Sequence, residues 1–221
     1  MQNPIKVTYK STNNVYRANQ FISEIQQYPI FGADFEVALK FSDDEVHSFK
    51  RELEGNPPKA REIELKAALK ATALSHPSYT VLTHCSIGVS ESEAYVFVLD
   101  NPKITQRVLY FLTNTEQTQV WHNATFDFQH IYYRIGKFPL VYEDTQLLAK
   151  TILNHADPQQ ALTGLKELAG KWYGAWGISE DLFTLAQMYD PKMLLYAATD
   201  SCATLKLWHS INDYIETNPT F

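Results

Sequence analysis

Asp34 and Glu36 stand two residues apart in the run 29–39, PIFGADFEVAL, where apolar residues surround two carboxylates. Read as a strand, that spacing puts both acids on one face and turns Phe35 to the other, into the core. Two carboxylates side by side repel, and each raises the other's pKa unless a cation lies between them. Hard divalent cations prefer oxygen ligands, so an acidic pair on an apolar strand is half of a magnesium or manganese site. Asp-x-Glu is also a common pattern, and alone it equally fits a strand end exposed to water. Two further groups stand out. Asn123-x-x-Phe126-Asp127 sits where a strand gives way to a helix, and Asp127 there is either a functional acid or a charge at a helix start. Tyr196 and Asp200 are i and i+4 in a helical run, so they share one face and can act at one point, although Tyr196 also reads as a half-buried core aromatic.

The surrounding pattern predicts the elements that must bring these residues together. A helix fits 17–27, where Phe21, Ile22 and Ile25 recur at helical spacing. The acidic strand follows, and 59–74 reads as an alanine- and leucine-rich helix with Glu62 and Lys66 one turn apart. Residues 80–89 and 94–99 form a hairpin that turns in Ser90-Glu91-Ser92-Glu93. A helix at 103–112, a strand at 119–122 running into a helix to about 135, and a strand at 141–144 with a helix from Thr145 complete the middle of the chain. The remainder is helical: 164–171, 180–188, and Pro191 to about Tyr214, the proline suiting a first turn. Leu194, Leu195, Ala198, Leu205 and Leu207 are assigned to the buried side of that last helix. Residues 1–13 read as a loose polar lead-in, and 42–60 as charged and turn-rich. Strands in a hairpin, then strands alternating with helices, suggest an α/β fold with a mixed sheet and helices on both faces. A single domain over 1–221, with an inserted charged and helical segment at about 42–78, accounts for the order.

Composition narrows the function classes. Apolar residues make up 45 % and aromatic residues 13 %, enough for a real core. A formal charge of −6 argues against a broad nucleic-acid coat protein, but not against an enzyme with a narrow acidic groove. Cys85 and Cys202 are too few and too far apart for a disulfide framework or a zinc site, and read as buried small hydrophobes. The polar N-terminus shows no signal peptide and no apolar run approaches the roughly 20 residues of a membrane span, so a soluble cytoplasmic protein is expected. The seven histidines lack metal-ligand spacing, and His122 reads as a satisfied strand-end residue. Phe128, Tyr132, Tyr133 and Phe138 either pack the core or stack on bases.

Taken together, Asp34-x-Glu36, Asn123-x-x-Phe126-Asp127 and Tyr196-x-x-x-Asp200 resemble the DEDD exonuclease superfamily in its tyrosine branch. The likeness is greatest to the proofreading domains of bacterial family A DNA polymerases. YAATDSCATLKLW (196–208) is similar to that family's third motif over nearly its whole length, and EDTQLL (143–148) and LKELA (165–169) have counterparts there. The resemblance spans about residues 30–210. The sister branch carries a histidine five positions before the last aspartate, where this chain has Leu195.

The resemblance implies a ribonuclease-H-like fold, with a mixed sheet of about five strands, the second antiparallel, flanked by helices. It implies 3′→5′ hydrolysis of single-stranded DNA or frayed 3′ ends to nucleoside monophosphates. Two divalent cations, Mg²⁺ or Mn²⁺, come with it: Asp34, Glu36 and Asp200 on one, Asp34 with help from Asp127 on the other, about 4 Å apart. Tyr196 and Glu36 would orient the attacking water, and Phe35, Leu39, Asn123 and Phe126 are matched to substrate contact. Departures are visible too. Val37 follows Glu36 where relatives often have threonine, and Leu39 lies one position before the leucine expected to wedge against the terminal base. The connection at 42–78 is longer than usual; its Lys50, Arg51, Lys59, Arg61, Lys66 and Lys70 are interleaved with glutamates, which reads as a solvated helix surface or a strand-guiding flap. The expected role is a stand-alone enzyme, or a proofreader for a separately encoded DNA polymerase as in a phage, then acting in the host cytoplasm. A ribonuclease D-like RNA exonuclease is the alternative, and a non-catalytic replisome docking module is a further one.

Overall fold

A computed structural model of the chain describes residues 6–41, 43–69, 76–152, 163–173 and 187–218. Its elements run β1 (Thr8–Thr12), α1 (Val15–Ile25), β2 (Ile30–Leu39), α2 (Asp43–Glu54), α3 (Lys59–Leu69), β3 (Thr80–Gly88) and β4 (Glu93–Val98). They continue with α4 (Pro102–Asn114), β5 (Thr118–Trp121), α5 (Ala124–Ile135), β6 (Tyr142–Asp144), α6 (Thr145–Ile152), α7 (Leu165–Tyr173) and α8 (Pro191–Thr217). Six strands form one sheet in the order β1-β4-β3-β2-β5-β6. β3 is antiparallel to both neighbours, and the other pairings are parallel, so the sheet is mixed as expected. The helix expected at 180–188 falls largely outside the described residues.

Two expectations need correction. The lead-in contains β1, a sixth strand, paired in parallel with β4. Its sequence Thr-Tyr-Lys-Ser-Thr is polar because it is an edge strand, where charged and polar residues are the norm. Lys10 there pairs with Glu24 of α1 at 2.7 Å, and Tyr95 donates to the same carboxylate. The stretch 42–60 is not merely turn-rich, since it holds α2. Asn56 adopts a left-handed φ of 52° after the end of α2, and the Pro58 carbonyl accepts from Glu62 to open α3, so the turn signals mark a helix junction.

The sheet separates two apolar layers. On one side Phe21 and Ile25 of α1, Leu109 and Leu112 of α4 and Ile131 of α5 pack on Phe31, Phe35, Ile87 and Phe97. On the other, Leu194, Ala197, Ala198 and Cys202 of α8 cover Ala94, Val96 and Val98. The outer side of α8 is itself covered, because Leu207 and Ile211 meet Ala149 of α6 and Leu168 of α7. Leu195 departs from its assignment and is only half-buried. Asp190 accepts from the Lys192 amide to cap α8, with Pro191 at the first turn.

α8 comes close to the sheet at two glycines. Gly32 and Gly88 face each other in the β2–β3 register. A Cβ on Gly32 would stand 2.2 Å from the Ser201 carbonyl oxygen, and one on Gly88 2.8 Å from the Cys202 nitrogen. Both obstacles are helix backbone, which cannot swing aside as a flexible side chain can. Gly32→Ala is therefore expected to destabilise by about 1–3 kcal/mol, as overpacked sites do, lowering Tm by about 2–4 °C per kcal/mol. Gly170→Ala is the control of opposite sign: a Cβ there meets nothing within 4 Å, and alanine in a helix gains up to about 1 kcal/mol over glycine. Thermal melts of the two variants check this, and equal shifts would sink the backbone-contact account.

Candidate active site

The acidic strand delivers its pair as alternation demands. Gly32, Asp34 and Glu36 face α8, while Phe31, Ala33 and Phe35 face the opposite core. Ligand oxygens of Asp34, Glu36 and Asp200 lie within 4.8 Å of one another, an all-oxygen set able to hold a cation. Asp200 reaches them because it precedes Ser201, the residue whose carbonyl sits over Gly32.

β3 bends around this point. Glu36 pairs with His84 and Val37 with Leu82, so Thr83 is the extra residue of a bulge. The Thr83 hydroxyl donates to the Glu36 carbonyl at 3.1 Å, and a ring nitrogen of His84 lies 2.7 Å from the Met188 carbonyl. The bulge thus fixes the backbone of Glu36 and ties β3 to the approach of α8.

Asp127 takes its place through a different device. The β2–β5 ladder ends at Gly32–Val120. Beyond it the Phe35 amide donates to Asp127 Oδ1 at 3.1 Å. The turn before α5 is held by Asp144, whose carboxylate accepts from the amides of Asn123, Ala124 and Gln146 at 3.1, 2.9 and 2.8 Å. One side chain therefore anchors the starts of α5 and α6, with Asn123 left-handed at φ 60°. Sequence reading noticed Asp144 only as part of a motif; the signal that would have found it is an acid between a strand and a helix.

Burial pushes the Asp34 carboxyl up to about 7, against a shared hydrogen bond with Glu36 and the charge of Lys166, both of which lower it. Burial also raises Glu36 well above the carboxylate range, helped by the charges of Asp34 and Asp200. Asp127 rises for the same first reason, with Asp34 adding to it and the Phe35 amide opposing it. Such a cluster holds protons or a cation, because bare charges at this spacing repel. Oxygen donors, close spacing and raised pKa values together fit a hard divalent ion.

The other expected site residues divide. Tyr196 lies on α8 and its hydroxyl accepts from Lys166 Nζ, a residue of α7 that sequence reading gave no individual role. The Phe35 side chain is 3 % exposed and stacks on Trp121 at 5.8 Å, facing the core as alternation on the strand requires. Leu39 is half-buried at the end of β2, Phe126 is half-buried beside His130, and Asn123 is exposed. His122 is occupied structurally, with Thr145 Oγ1 2.8 Å from one ring nitrogen and the Thr163 carbonyl 2.9 Å from the other. Phe128 is core, whereas Tyr132 and Phe138 stack on each other at 4.8 Å and are about half exposed. Both cysteines are buried and free. No helix among the described residues is long and apolar enough to cross a membrane.

Residues 71–216 match the family model described as 3′-5′ exonuclease, of the DNA polymerase A type. That span contains the motifs around Asp127 and Asp200 and begins after Asp34 and Glu36, which the sheet then returns to the same point. A search of the curated proteins finds no match. Among solved structures the fold is similar to Brucella melitensis NrnC (TM-score 0.58, 14 % identity, over 98 % of this chain and 84 % of that one). It is also similar to Escherichia coli RNase D (TM-score 0.61, 13 % identity, 96 % of this chain and 46 % of that one). A third likeness is to the catalytic core of Trypanosoma brucei RRP6 (TM-score 0.64, 10 % identity, 100 % of this chain and 51 % of that one). Because the family model matches well over half of this chain, the chain belongs to the 3′-5′ exonucleases of the DEDD superfamily.

Proposed function

We propose that this exonuclease shortens single-stranded DNA or frayed 3′ ends one nucleotide at a time, with two divalent cations, Mg²⁺ or Mn²⁺, held by Asp34, Glu36, Asp127 and Asp200. The observation that carries the reading is the convergence of Asp34, Glu36 and Asp200 from two elements onto one point. Cations in such a site supply an acidified water and neutralise charge during in-line displacement. The water oxygen would bond to the terminal phosphorus while giving up a proton, the bond to the 3′ oxygen of the preceding nucleotide would break, that oxygen would take up a proton, and a nucleoside 5′-monophosphate would leave. Glu36 and Tyr196 orient the water. Asp127, through the Phe35 amide, keeps the strand that carries Asp34 and Glu36 in register. Leu39, Phe126 and Asn123 are assigned to gripping the terminal nucleotide.

DNA is supported by the polymerase type of the matched family model. RNA is the second reading, since the similar E. coli RNase D is described as an exoribonuclease involved in structured RNA processing. The similar NrnC has been seen with bound Mg²⁺ and with pGG, which supports the choice of ion and a short nucleic-acid end as ligand. Matched 5′-labelled DNA and RNA oligonucleotides, with Mg²⁺, with Mn²⁺ and in chelator, decide between them. The expected result is a ladder that needs metal, forms faster on DNA and vanishes in Asp34→Ala, with Asp200→Asn slowed at least about 100-fold. Faster shortening of RNA would install the second reading; intact DNA and RNA with every metal would end both.

The raised carboxyl pKa values predict a metal-free instability. A folded-state pKa near 7 for Asp34 lies above the roughly 3.9 of an unfolded aspartate. The folded chain then binds more protons than the unfolded chain between those values, so stability falls as pH rises through the window. In chelator, Tm is expected to drop between pH 5 and pH 8, and Asp34→Asn to shrink the drop. Mg²⁺ should raise Tm more at pH 8 than at pH 5, because it binds the ionised cluster. A metal-free Tm that climbs over the same range would contradict the electrostatic account.

A further inference from the structure

Lys166 is the cation that the site's own geometry singles out. α7 packs by Leu168 against Leu207 and Ile211 of α8, which sets the preceding turn of α7 beside Tyr196. Lys166 Nζ donates to the Tyr196 hydroxyl and lies 4.4 Å from the centre of that ring. Its charge also reaches Asp34 and Glu36, opposing the rise of both carboxyl pKa values. One ammonium on α7 thus touches the tyrosine of α8 and faces the acids of β2.

The chemistry of the pair is asymmetric. A lysine ammonium has three donors and no acceptor, whereas a phenol has one donor and accepts through its oxygen. When Lys166 donates to the Tyr196 oxygen, the phenol's single proton must point elsewhere. Without that donor the phenol proton can take either in-plane orientation, including the one that Lys166 now blocks. Stacking of the ammonium near the ring further restricts where the side chain can go.

We propose that Lys166 is a positioning residue that acts through Tyr196, committing the phenol proton to an oxygen at the reaction centre. The inference rests on the exonuclease reading above and assigns it a residue from a fourth element. α7 thereby becomes part of the active site rather than only a prop for α8.

The test is a double-mutant cycle on the full chain with oligonucleotide substrate, using Lys166→Met, Tyr196→Phe, the double variant and Lys166→Arg. Lys166→Met is expected to lower kcat about 10- to 100-fold, the scale of a misplaced reacting group, with KM changed less than about threefold. In the Tyr196→Phe background the same change should cost less than about twofold, because both act through one hydroxyl. Arginine, which also donates, should restore part of kcat. Every variant should keep a Mg²⁺-induced rise in Tm, since none of the substitutions removes a carboxylate of the cluster. Losses that multiply in the double variant would overturn the role, as would a KM effect alone, which marks a simple phosphate contact. A wild type that shortens no strand overturns the exonuclease reading itself, whereas an active wild type with unaffected Lys166→Met overturns only this inference.

Discussion

The backbone of α8 lies directly on the Gly32–Gly88 pair, and the rest of the site depends on that contact. Helices usually stand off a sheet by the thickness of two side chains. Here one partner has none at the crossing, and the helix answers with Ala197, Ala198, Ser201, Cys202 and Ala203, all small and buried. The approach brings Asp200 within ligand distance of Asp34 and Glu36, which lie on the same strand face as Gly32. A larger residue at either glycine would lift the helix and open the triad, so packing and chemistry are one constraint. The layer of α6 and α7 behind α8 removes the helix's freedom to retreat.

Holding three acids this close works against the folded state. Burial is the leading cause of the raised pKa of Asp34, Glu36 and Asp127, and mutual repulsion adds to it for Glu36 and Asp127. The fold offsets part of that cost with groups that favour the charged form: the Phe35 amide for Asp127, and the Lys166 ammonium for Asp34 and Glu36. It leaves the remainder in place. A site fully neutralised by its own protein would have no affinity left for a divalent cation, so the uncompensated charge is what makes the cluster a receptor. The Thr83 bulge and the Asp144 caps serve the same end, since repelling groups stay together only on backbone that cannot relax.

The chemistry was more legible in the sequence than the architecture that supports it. Asp34-x-Glu36 and Tyr196-x-x-x-Asp200 announce themselves because strand and helix periods decide which neighbours share a face, and that can be read locally. The family resemblance then joined motifs that periodicity alone left separate. Gly32 and Gly88 were passed over: a glycine inside a strand signals a close approach, but its partner lies far along the chain in α8. Thr83 gives no local sign at all, because a bulge is a property of two strands in register. β1 was hidden by edge-strand polarity, and α2 by turn residues that belong to its junction with α3. Phe35 was legible by alternation alone, which turns its side chain into the core against Trp121.

The helices between β2 and β3 bear on how a chain of charge −6 can handle a polyanion. Arg61 pairs with Glu52 and Glu64, and Lys66 with Glu62, so much of the positive charge in α2 and α3 is neutralised within the hairpin. Exposed pairs of this kind contribute little to stability, and they leave little field to draw in phosphates. On the exonuclease reading, attraction for a nucleic-acid end would then come from the acidic cluster once it holds a cation. The charge of Lys166 already reaches Asp34 and Glu36, and a cation bound there would add to it at the point where an incoming phosphate meets the cluster.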